Sequence, residues 1–264
     1  MLTERQRISP EKISLFFVFA FFTALTFVCR NIPFFWDGDL FSQEAHFYFT
    51  NNFSGIILPP ELDRDGTPLL FAAYFAAVWS LLGKTLLISH IALLPVLLGI
   101  AWEYYKLSKK FLSESMIPFA MLLLLFEPTF ITQSIVMGYD VALLYFFLLA
   151  LNALLSGRGM LYGTALSLLG LCSIRGIMLA ITLLLIHAAI RLVNEKKFNV
   201  RELRFYILPF VILGASALWH FYKTGWFYIS DSPVYLRDRA LVSFNMLIRQ
   251  GIYVLWYIGD FGRA

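Results

Sequence analysis

Long apolar runs separated by short polar segments dominate this chain. The first run covers 13–30, and others cover 85–105, 116–135 and 139–155. A helix needs about 20 mostly apolar residues to cross the hydrocarbon core of a bilayer. Unbroken runs of this kind predict membrane-spanning α-helices, because a membrane β-barrel shows short segments of alternating hydrophobicity instead.

Loop charge decides how the stretch 68–82 is interpreted, since its length alone leaves the number of spans open. Lys106, Lys109 and Lys110 follow the run at 85–105, and basic loops favour the cytoplasmic side. If 68–82 crossed the bilayer fully, this basic loop would fall outside. We therefore predict an interfacial helix at 68–82 and a full span at 85–105.

The segment 161–192 is too long for one span and contains a charged residue. Its 32 residues are interrupted by Cys172-Ser173-Ile174-Arg175-Gly176. An unpaired arginine inside the hydrocarbon is costly, and a helical hairpin with Arg175 at its outer turn avoids that cost. Further spans at 205–222 and 241–258 complete a predicted all-α, polytopic transmembrane bundle of about eight spans.

The same scheme fixes the predicted orientation. Basic residues precede the first span and no cleavage motif follows it, so we expect an uncleaved first span with a cytoplasmic N-terminus. Residues 31–67 contain six acidic side chains against one arginine. We predict a single transmembrane domain over 1–264 in the inner membrane, with a long outer loop at 31–84 that carries juxtamembrane helices.

Composition narrows the class of protein further. The chain has 264 residues, of which 59% are hydrophobic and 14% charged, and its mean hydropathy is +0.73. Soluble domains have about 25% charged residues, so a soluble enzyme and a disordered chain are excluded. The net charge of +4 does not indicate nucleic-acid binding, because loop Lys and Arg set membrane orientation. Cys29 and Cys172 lack metal-ligand or disulfide spacing and are expected to be packing residues.

The predicted topology collects several polar side chains at the outer membrane face. Carboxylates at helix ends can act as general bases or bind a divalent cation, and basic side chains can hold a phosphate. This combination favours chemistry on a lipid-linked phosphate ester. The residues concerned are Asp37, Asp39, Asp140, Arg175, His220 and Lys223.

Each of these residues also has a purely structural explanation. Asp37 or Asp39 alternatively caps a loop helix that starts near Leu40, and Asp140 alternatively caps the fourth span. Arg175 alternatively extends its side chain to the lipid headgroups.

Four further side chains are candidates for acceptor binding or loop function. Glu44 and His46 lie on a predicted amphipathic loop helix, where solvation is the simpler explanation. Asp65 lies in Asp63-Arg64-Asp65-Gly66, a pattern that is also typical of an ordinary turn. Tyr139 directly precedes Asp140.

The order of these motifs resembles the polytopic glycosyltransferases of the GT-C class that use lipid-phosphate sugars. The similar branch contains bacterial relatives of protein O-mannosyltransferases and the lipid A aminoarabinose transferase. The resemblance covers about residues 13–230. The motifs that carry it are Trp36-Asp37-Gly38-Asp39, Asp65-Gly66-Thr67-Pro68-Leu69-Leu70, Leu81-Leu82-Gly83, Met137-Gly138-Tyr139-Asp140 and Ser173-Ile174-Arg175-Gly176.

The resemblance implies a polyprenyl-phosphate-linked sugar donor and transfer on the outer membrane face. Asp37 or Asp39 would be the catalytic base, and Asp140 would be its second carboxylate partner. Arg175, with Lys223, would contact the donor phosphate, and Asp39 and Asp140 are also the candidates for holding a divalent cation. In the family the two acids of the first motif are adjacent. Here Gly38 separates them, so the choice of base stays open.

Three hypotheses for function follow. The first is an inverting glycosyltransferase that acts on a lipid, glycan or protein acceptor. The second is a non-catalytic membrane subunit with a membrane-protein partner, since we expect this chain to correspond to the N-terminal part of the family. The third is a transporter, which is disfavoured because the acids are predicted at the outer surface and no inverted repeat is visible.

Overall fold

Helices make up all the regular structure in the described part of the chain. The computed structural model describes residues 9–34, 37–63, 66, 70–195, 200–227 and 243–259. The helices within these ranges are α1 (Pro10–Val28), α2 (Asp37–Thr50), α3 (Leu70–Leu82), α4 (Leu86–Phe111), α5 (Ile117–Phe126), α6 (Pro128–Gln133), α7 (Asp140–Leu155), α8 (Gly159–Cys172), α9 (Ile174–Glu195), α10 (Val200–Thr224) and α11 (Phe244–Gly259).

Four of the described helices are long and apolar enough to cross a membrane. They are α1, α4, the Ile174–Arg191 part of α9 and the Phe205–Thr224 part of α10. The chain is therefore a helical membrane protein. The predicted count of about eight spans is not established, because α3, α5, α7 and α8 are apolar but shorter than 18 residues.

The predicted span at 116–135 is not one continuous helix. It is divided into α5 and α6 at Glu127, whose ψ of 107° is not helical. Proline disfavours helical backbone at the residue before it, and Pro128 follows directly. The Glu127 carboxylate then caps α6 by accepting the backbone N–H of Phe130. Pro128 is a sequence signal for this break, but the high hydropathy of 116–135 predicts a single span.

Helix α3 packs between α2 and α4 through its aromatic side chains. The Phe41 ring of α2 lies 5.5 Å from those of Phe71 and Phe75. Towards α4, the Trp79 indole N–H donates to the Ser89 hydroxyl at 2.9 Å, and the Tyr74 hydroxyl donates to the Ala92 carbonyl at 2.8 Å. The last two contacts place α3 antiparallel to α4. The Phe49 ring of α2 lies 6.2 Å from the Trp79 ring, so α3 runs parallel to α2.

The break predicted at 172–176 is present. Helix α8 ends at Cys172 and α9 begins at Ile174, with extended backbone at Ser173 between them. The Ser173 hydroxyl accepts the backbone N–H of Gly176 at 3.3 Å, which caps the new helix. Arg175 therefore lies in the first turn of α9.

Glycines allow α8 to approach α10 closely. A methyl group on Gly163 would lie 2.8 Å from the Phe205 carbonyl oxygen, and one on Gly170 would lie 2.7 Å from the Leu213 side chain. Small residues at such positions let helix backbones pack at short distance in membranes. This contact directs α10 alongside α8, so that both helices end on the same side of the bundle.

Substitution of Gly176 by alanine is expected to destabilise the α8–α9 hairpin. A methyl group there would overlap the carbonyl oxygen of Leu169 and approach Leu143 to 2.9 Å. Overpacking of this kind costs about 1–3 kcal/mol. The matched control is Gly214→Ala, because space around Gly214 is open. Thermal unfolding in detergent should show a lower Tm for Gly176→Ala alone, and equal Tm values for both variants would contradict the packing argument.

Candidate functional site

An exposed ion pair joins the start of α7 to the start of α9. The Arg175 Nη2 lies 3.0 Å from the Asp140 Oδ1, and the two side chains are 54% and 39% exposed. The guanidinium carbon also lies 5.1 Å from the centre of the Tyr139 ring. An arginine that is stacked on a ring and paired with a carboxylate has a restricted orientation. Three sequence-predicted site residues are thus brought together.

The first turn of α2 packs against the turn that precedes Asp140. Gly38 is buried, and a methyl group there would lie 3.1 Å from both the Met137 carbonyl oxygen and the Val136 side chain. The absence of a side chain at position 38 therefore allows this close approach. As a result, the segment Asp37-Gly38-Asp39 lies next to the Met137-Gly138-Tyr139-Asp140 turn.

Asp39 is exposed and is held within its own helix. Its Oδ2 accepts the side-chain amide of Gln43 at 3.1 Å, and its backbone carbonyl accepts the Ser42 hydroxyl at 2.8 Å. Asp37 is the first residue of α2. Both residues therefore lie in the first turn of α2, on either side of Gly38.

The Asp140–Arg175 pair lies some distance inward from the end of the bundle at which α4 begins. The Tyr145 ring packs against Gly99 of α4, and Asn152 donates to the Glu103 carbonyl at 2.7 Å, so α7 runs parallel to α4. Asp140 precedes Tyr145 by five residues. Because Tyr145 is level with Gly99, Asp140 is level with a point about eight residues after Leu86. At about 1.5 Å per helical residue, this places Asp140 about 12 Å from the Leu86 end of α4 along the helix axis.

An apolar cavity of about 360 Å³ opens between α3, α4, α7 and α8. It is adjacent to the pair along the chain, because Cys172 in its wall is three residues before Arg175 and Phe146 is six residues after Asp140. A concave, apolar site of this size is suited to a hydrocarbon group. The lining includes Leu70, Phe71, Val96, Phe146, Leu168 and Cys172.

Lys223, the second predicted donor-phosphate contact, lies in the last turn of α10. Its Nζ lies over the rings of Trp219 and Tyr222, at 5.1 Å and 5.7 Å from their centres. None of the contacts described for Lys223 joins it to Arg175. Lys223 is therefore described only in contact with its own helix, and its phosphate-binding role stays a prediction.

The other predicted loop residues are dispersed along α2 and beyond it. His46 is exposed and stacks on Phe49 at 6.4 Å; desolvation and then the charge of Lys84 lower its pKa, so it is neutral at pH 7. Glu44 lies one helical turn from Tyr48, and its negative charge contributes to the raised pKa of the Tyr48 phenol. Asp65 lies outside the described residues.

A cation held by Asp39 and Asp140 gains no support from the described side chains. Among them, no three His, Cys, Asp or Glu residues lie close enough together to hold a metal ion. Protein sites for hard cations use several oxygen ligands. A cation at these two carboxylates would therefore need ligands from a substrate or from other residues.

A second polar contact, between Asp63 and His220, was not predicted. The His220 Nε2 lies 2.7 Å from the Asp63 Oδ2, and the residues are only 7% and 5% exposed. The backbone N–H of Gly66 donates to the other Asp63 oxygen at 3.1 Å. The contact joins the loop after α2 to the last turns of α10.

The hydrogen-bond network restricts the protons of this pair. The His220 Nδ1 lies 3.0 Å from the Trp226 carbonyl oxygen, which can only accept, so Nδ1 is assigned a hydrogen. One further proton must then lie between Nε2 and Asp63, on either atom. Both ring nitrogens are engaged in either case, which makes His220 a link between segments and not an available base.

Tyr48 packs beside this link. Its hydroxyl donates to the Ile56 carbonyl at 2.9 Å. Burial, with smaller contributions from the negative charges of Glu44 and Asp63, raises the pKa of the Tyr48 phenol, so it remains protonated and able to donate. The loop is thus fastened to α2 by Tyr48 and to α10 by Asp63.

In the sequence, Asp63 belongs to a turn pattern and His220 lies at the end of a predicted span. Nothing in either local pattern indicates the other residue, since they are 157 positions apart.

No protein-family model, curated protein or solved structure shows a significant match to this chain. A functional interpretation therefore depends on the geometry and the sequence motifs alone.

Proposed function

We propose that this chain is a glycosyltransferase that moves a sugar from a polyprenyl-phosphate donor to a lipid, glycan or protein acceptor. The observation that most supports this proposal is that three motif segments, separate in sequence, lie next to one another. The α2 start with Asp37 and Asp39 packs on the turn before Asp140, and Asp140 pairs with Arg175 at 3.0 Å. The apolar cavity beside them supports a substrate with a hydrocarbon chain.

In the proposed reaction, Asp37 or Asp39 accepts the proton of the acceptor hydroxyl or amine. The acceptor oxygen or nitrogen forms a bond to the anomeric carbon as the bond from that carbon to the phosphate oxygen breaks. The electron pair leaves with polyprenyl phosphate, whose charge Arg175 stabilises. Since phosphate is already a good leaving group, the protein mainly positions and stabilises it.

The proposal includes a membrane arrangement. About eight segments cross the inner membrane, the N-terminus is cytoplasmic, and the loop at 31–84 faces outward together with the Asp140–Arg175 pair. The distribution of basic residues supports this orientation, because Lys106, Lys109 and Lys110 then lie in the cytoplasm. The donor would reach the site from the outer leaflet.

Release of polyprenyl phosphate tests the proposal directly. Purified protein in detergent is incubated with a panel of polyprenyl-phosphate sugars and with a membrane extract that supplies lipid, glycan and protein acceptors. Asp37→Asn and Asp39→Asn are compared with wild type. We expect release by wild type and its loss in one of the two variants, which identifies the base. Glu61→Gln is the matched control, because Glu61 is an exposed acid of the same loop.

Two results would contradict the proposal. One is a folded wild type that releases no polyprenyl phosphate from any donor. The other is release that survives both aspartate substitutions made together. Retained binding of polyprenyl phosphate without release would instead favour a non-catalytic membrane subunit.

A further inference from the structure

Basic side chains cluster where α4 ends and α7 turns into α8, and two of them are neutralised. The Lys106 Nζ lies 2.8 Å from the Glu103 carboxylate, and the Lys109 Nζ lies 3.2 Å from the Glu11 carboxylate. Both glutamates are buried. The positive charges of these two lysines are therefore largely balanced within the fold.

Lys110 has different partners. Its Nζ donates to the Ser156 hydroxyl at 2.7 Å and to the Asn152 carbonyl at 3.3 Å, which are uncharged acceptors. The positive charges of Lys106 and Arg158 both act on Lys110, and the opposite charge of Glu103 acts on it less strongly. Among the described ion pairs, none involves Lys110 or Arg158.

The turn between α7 and α8 presents these charges outward. Ser156, Gly157 and Arg158 are all exposed, as is Lys110. Gly157 has a φ of +65°, a conformation that glycine adopts without strain and that closes the turn tightly. Helix α8 starts at the next residue, so its first backbone N–H groups add partial positive charge to the same corner.

Exposed apolar side chains surround this charged corner. Leu155 is 45% exposed and Met160 is 65% exposed, on either side of the turn, and Phe111 next to Lys110 is 68% exposed. In a helical membrane protein such side chains contact lipid chains. A ligand that offers a negative phosphate together with hydrocarbon satisfies both features, whereas a free phosphate ion leaves the apolar surface uncovered.

We propose that the corner formed by Lys110, Ser156 and Arg158 binds the phosphate group of an anionic membrane phospholipid. Its acyl chains lie along Leu155 and Met160. Lys110 is prepared for this role by Ser156 and Asn152, which fix its ammonium group without neutralising it. This site is separate from the Asp140–Arg175 pair, since it lies at the opposite end of α7.

Lipid binding to the purified protein tests the site. Delipidated protein is titrated with phosphatidylglycerol or phosphatidylcholine, and native mass spectrometry counts the bound lipids. We expect wild type to bind one phosphatidylglycerol more tightly than phosphatidylcholine. The double variant Lys110→Gln/Arg158→Gln should bind phosphatidylglycerol about 30-fold more weakly, from the typical contribution of two basic residues near a lipid surface.

The matched control is Lys84→Gln/Arg249→Gln, which removes two exposed cations elsewhere and should bind as wild type does. Equal binding by wild type and the Lys110/Arg158 variant would overturn the proposal, as would an equal loss in the control. Displacement of the lipid by millimolar inorganic phosphate would overturn the lipid assignment. If the double variant does not fold, Arg158→Gln alone replaces it, because no described hydrogen bond or ion pair depends on that side chain.

Discussion

Replacement of Arg175 by alanine should reduce the rate of polyprenyl-phosphate release by about 10²- to 10³-fold, the usual effect of removing one preorganised charge-stabilising group. The physical reason is the negative charge that develops on the leaving phosphate. Arg175 is half exposed and aligned by Asp140 and Tyr139, so its charge requires little rearrangement to reach the phosphate. Release by purified protein, measured with donor and acceptor both saturating, gives kcat.

Two further variants separate charge from orientation. Arg175→Lys keeps the charge but loses the planar guanidinium, so it should recover only part of the rate. Asp140→Asn removes the carboxylate that holds the guanidinium and should lower kcat less than Arg175→Ala does. If Asp140→Asn abolished release while Arg175→Ala did not, the assignment of phosphate stabilisation to Arg175 would be wrong.

Arg249 provides the matched arginine control. Its guanidinium carbon lies 5.9 Å from the Tyr253 ring, an arrangement similar to that of Arg175 over Tyr139. Arg249→Ala should leave both kcat and KM unchanged. A comparable loss in this control would show that the effect of Arg175→Ala does not come from the site.

The Asp63→Ala variant should lose about 2–5 kcal/mol of folding stability. The Asp63 side chain is the buried partner of both His220 and the Gly66 N–H, and each buried polar group left unpaired costs about 1–3 kcal/mol. His220 would remain buried in α10 with only the Trp226 carbonyl and the Thr224 hydroxyl as partners. The Gly66 N–H would also lose its acceptor. We expect the loop after α2 to detach from α10 as a consequence.

Equilibrium unfolding in detergent measures this loss, and a double-mutant cycle assigns it. Asp63→Ala and His220→Ala should each destabilise strongly, and their combination should cost less than the sum, since neither leaves an unpaired partner. Glu61→Ala, an exposed acid two residues away, should change stability by no more than about 0.5 kcal/mol. Strictly additive losses from the two single variants would refute a direct Asp63–His220 interaction.

Local sequence signals predicted the helices well where charge and hydropathy agreed. Arg175 in an apolar segment predicted the break between α8 and α9, because a charge in the hydrocarbon must reach an interface or a partner. The division between α5 and α6 was not predicted, although Pro128 indicates it. Hydropathy is averaged over many residues, so a single proline changes it little. The number of spans could not be settled by sequence, because short apolar helices satisfy a hydropathy pattern without having the length to cross a bilayer.

For the candidate site, the sequence predicts only that its residues share one membrane face. Asp37, Asp39, Asp140 and Arg175 were expected on one membrane face, and the structure places their segments side by side. The close approach at Gly38 depends on tertiary packing that no local pattern specifies. Lys223 was grouped with them by the same argument, yet its described contacts are with its own helix.

The Asp63–His220 link also has a consequence for biosynthesis. Its two residues are 157 positions apart, and ribosomes add about 5–20 residues per second. The loop that contains Asp63 is therefore made about 8 to 30 s before its partner. During that interval Tyr48 of α2 can already hold the loop, but Asp63 has no histidine partner until α10 has been made. Fastening of this loop to α10 should accordingly be one of the last events in the maturation of the protein.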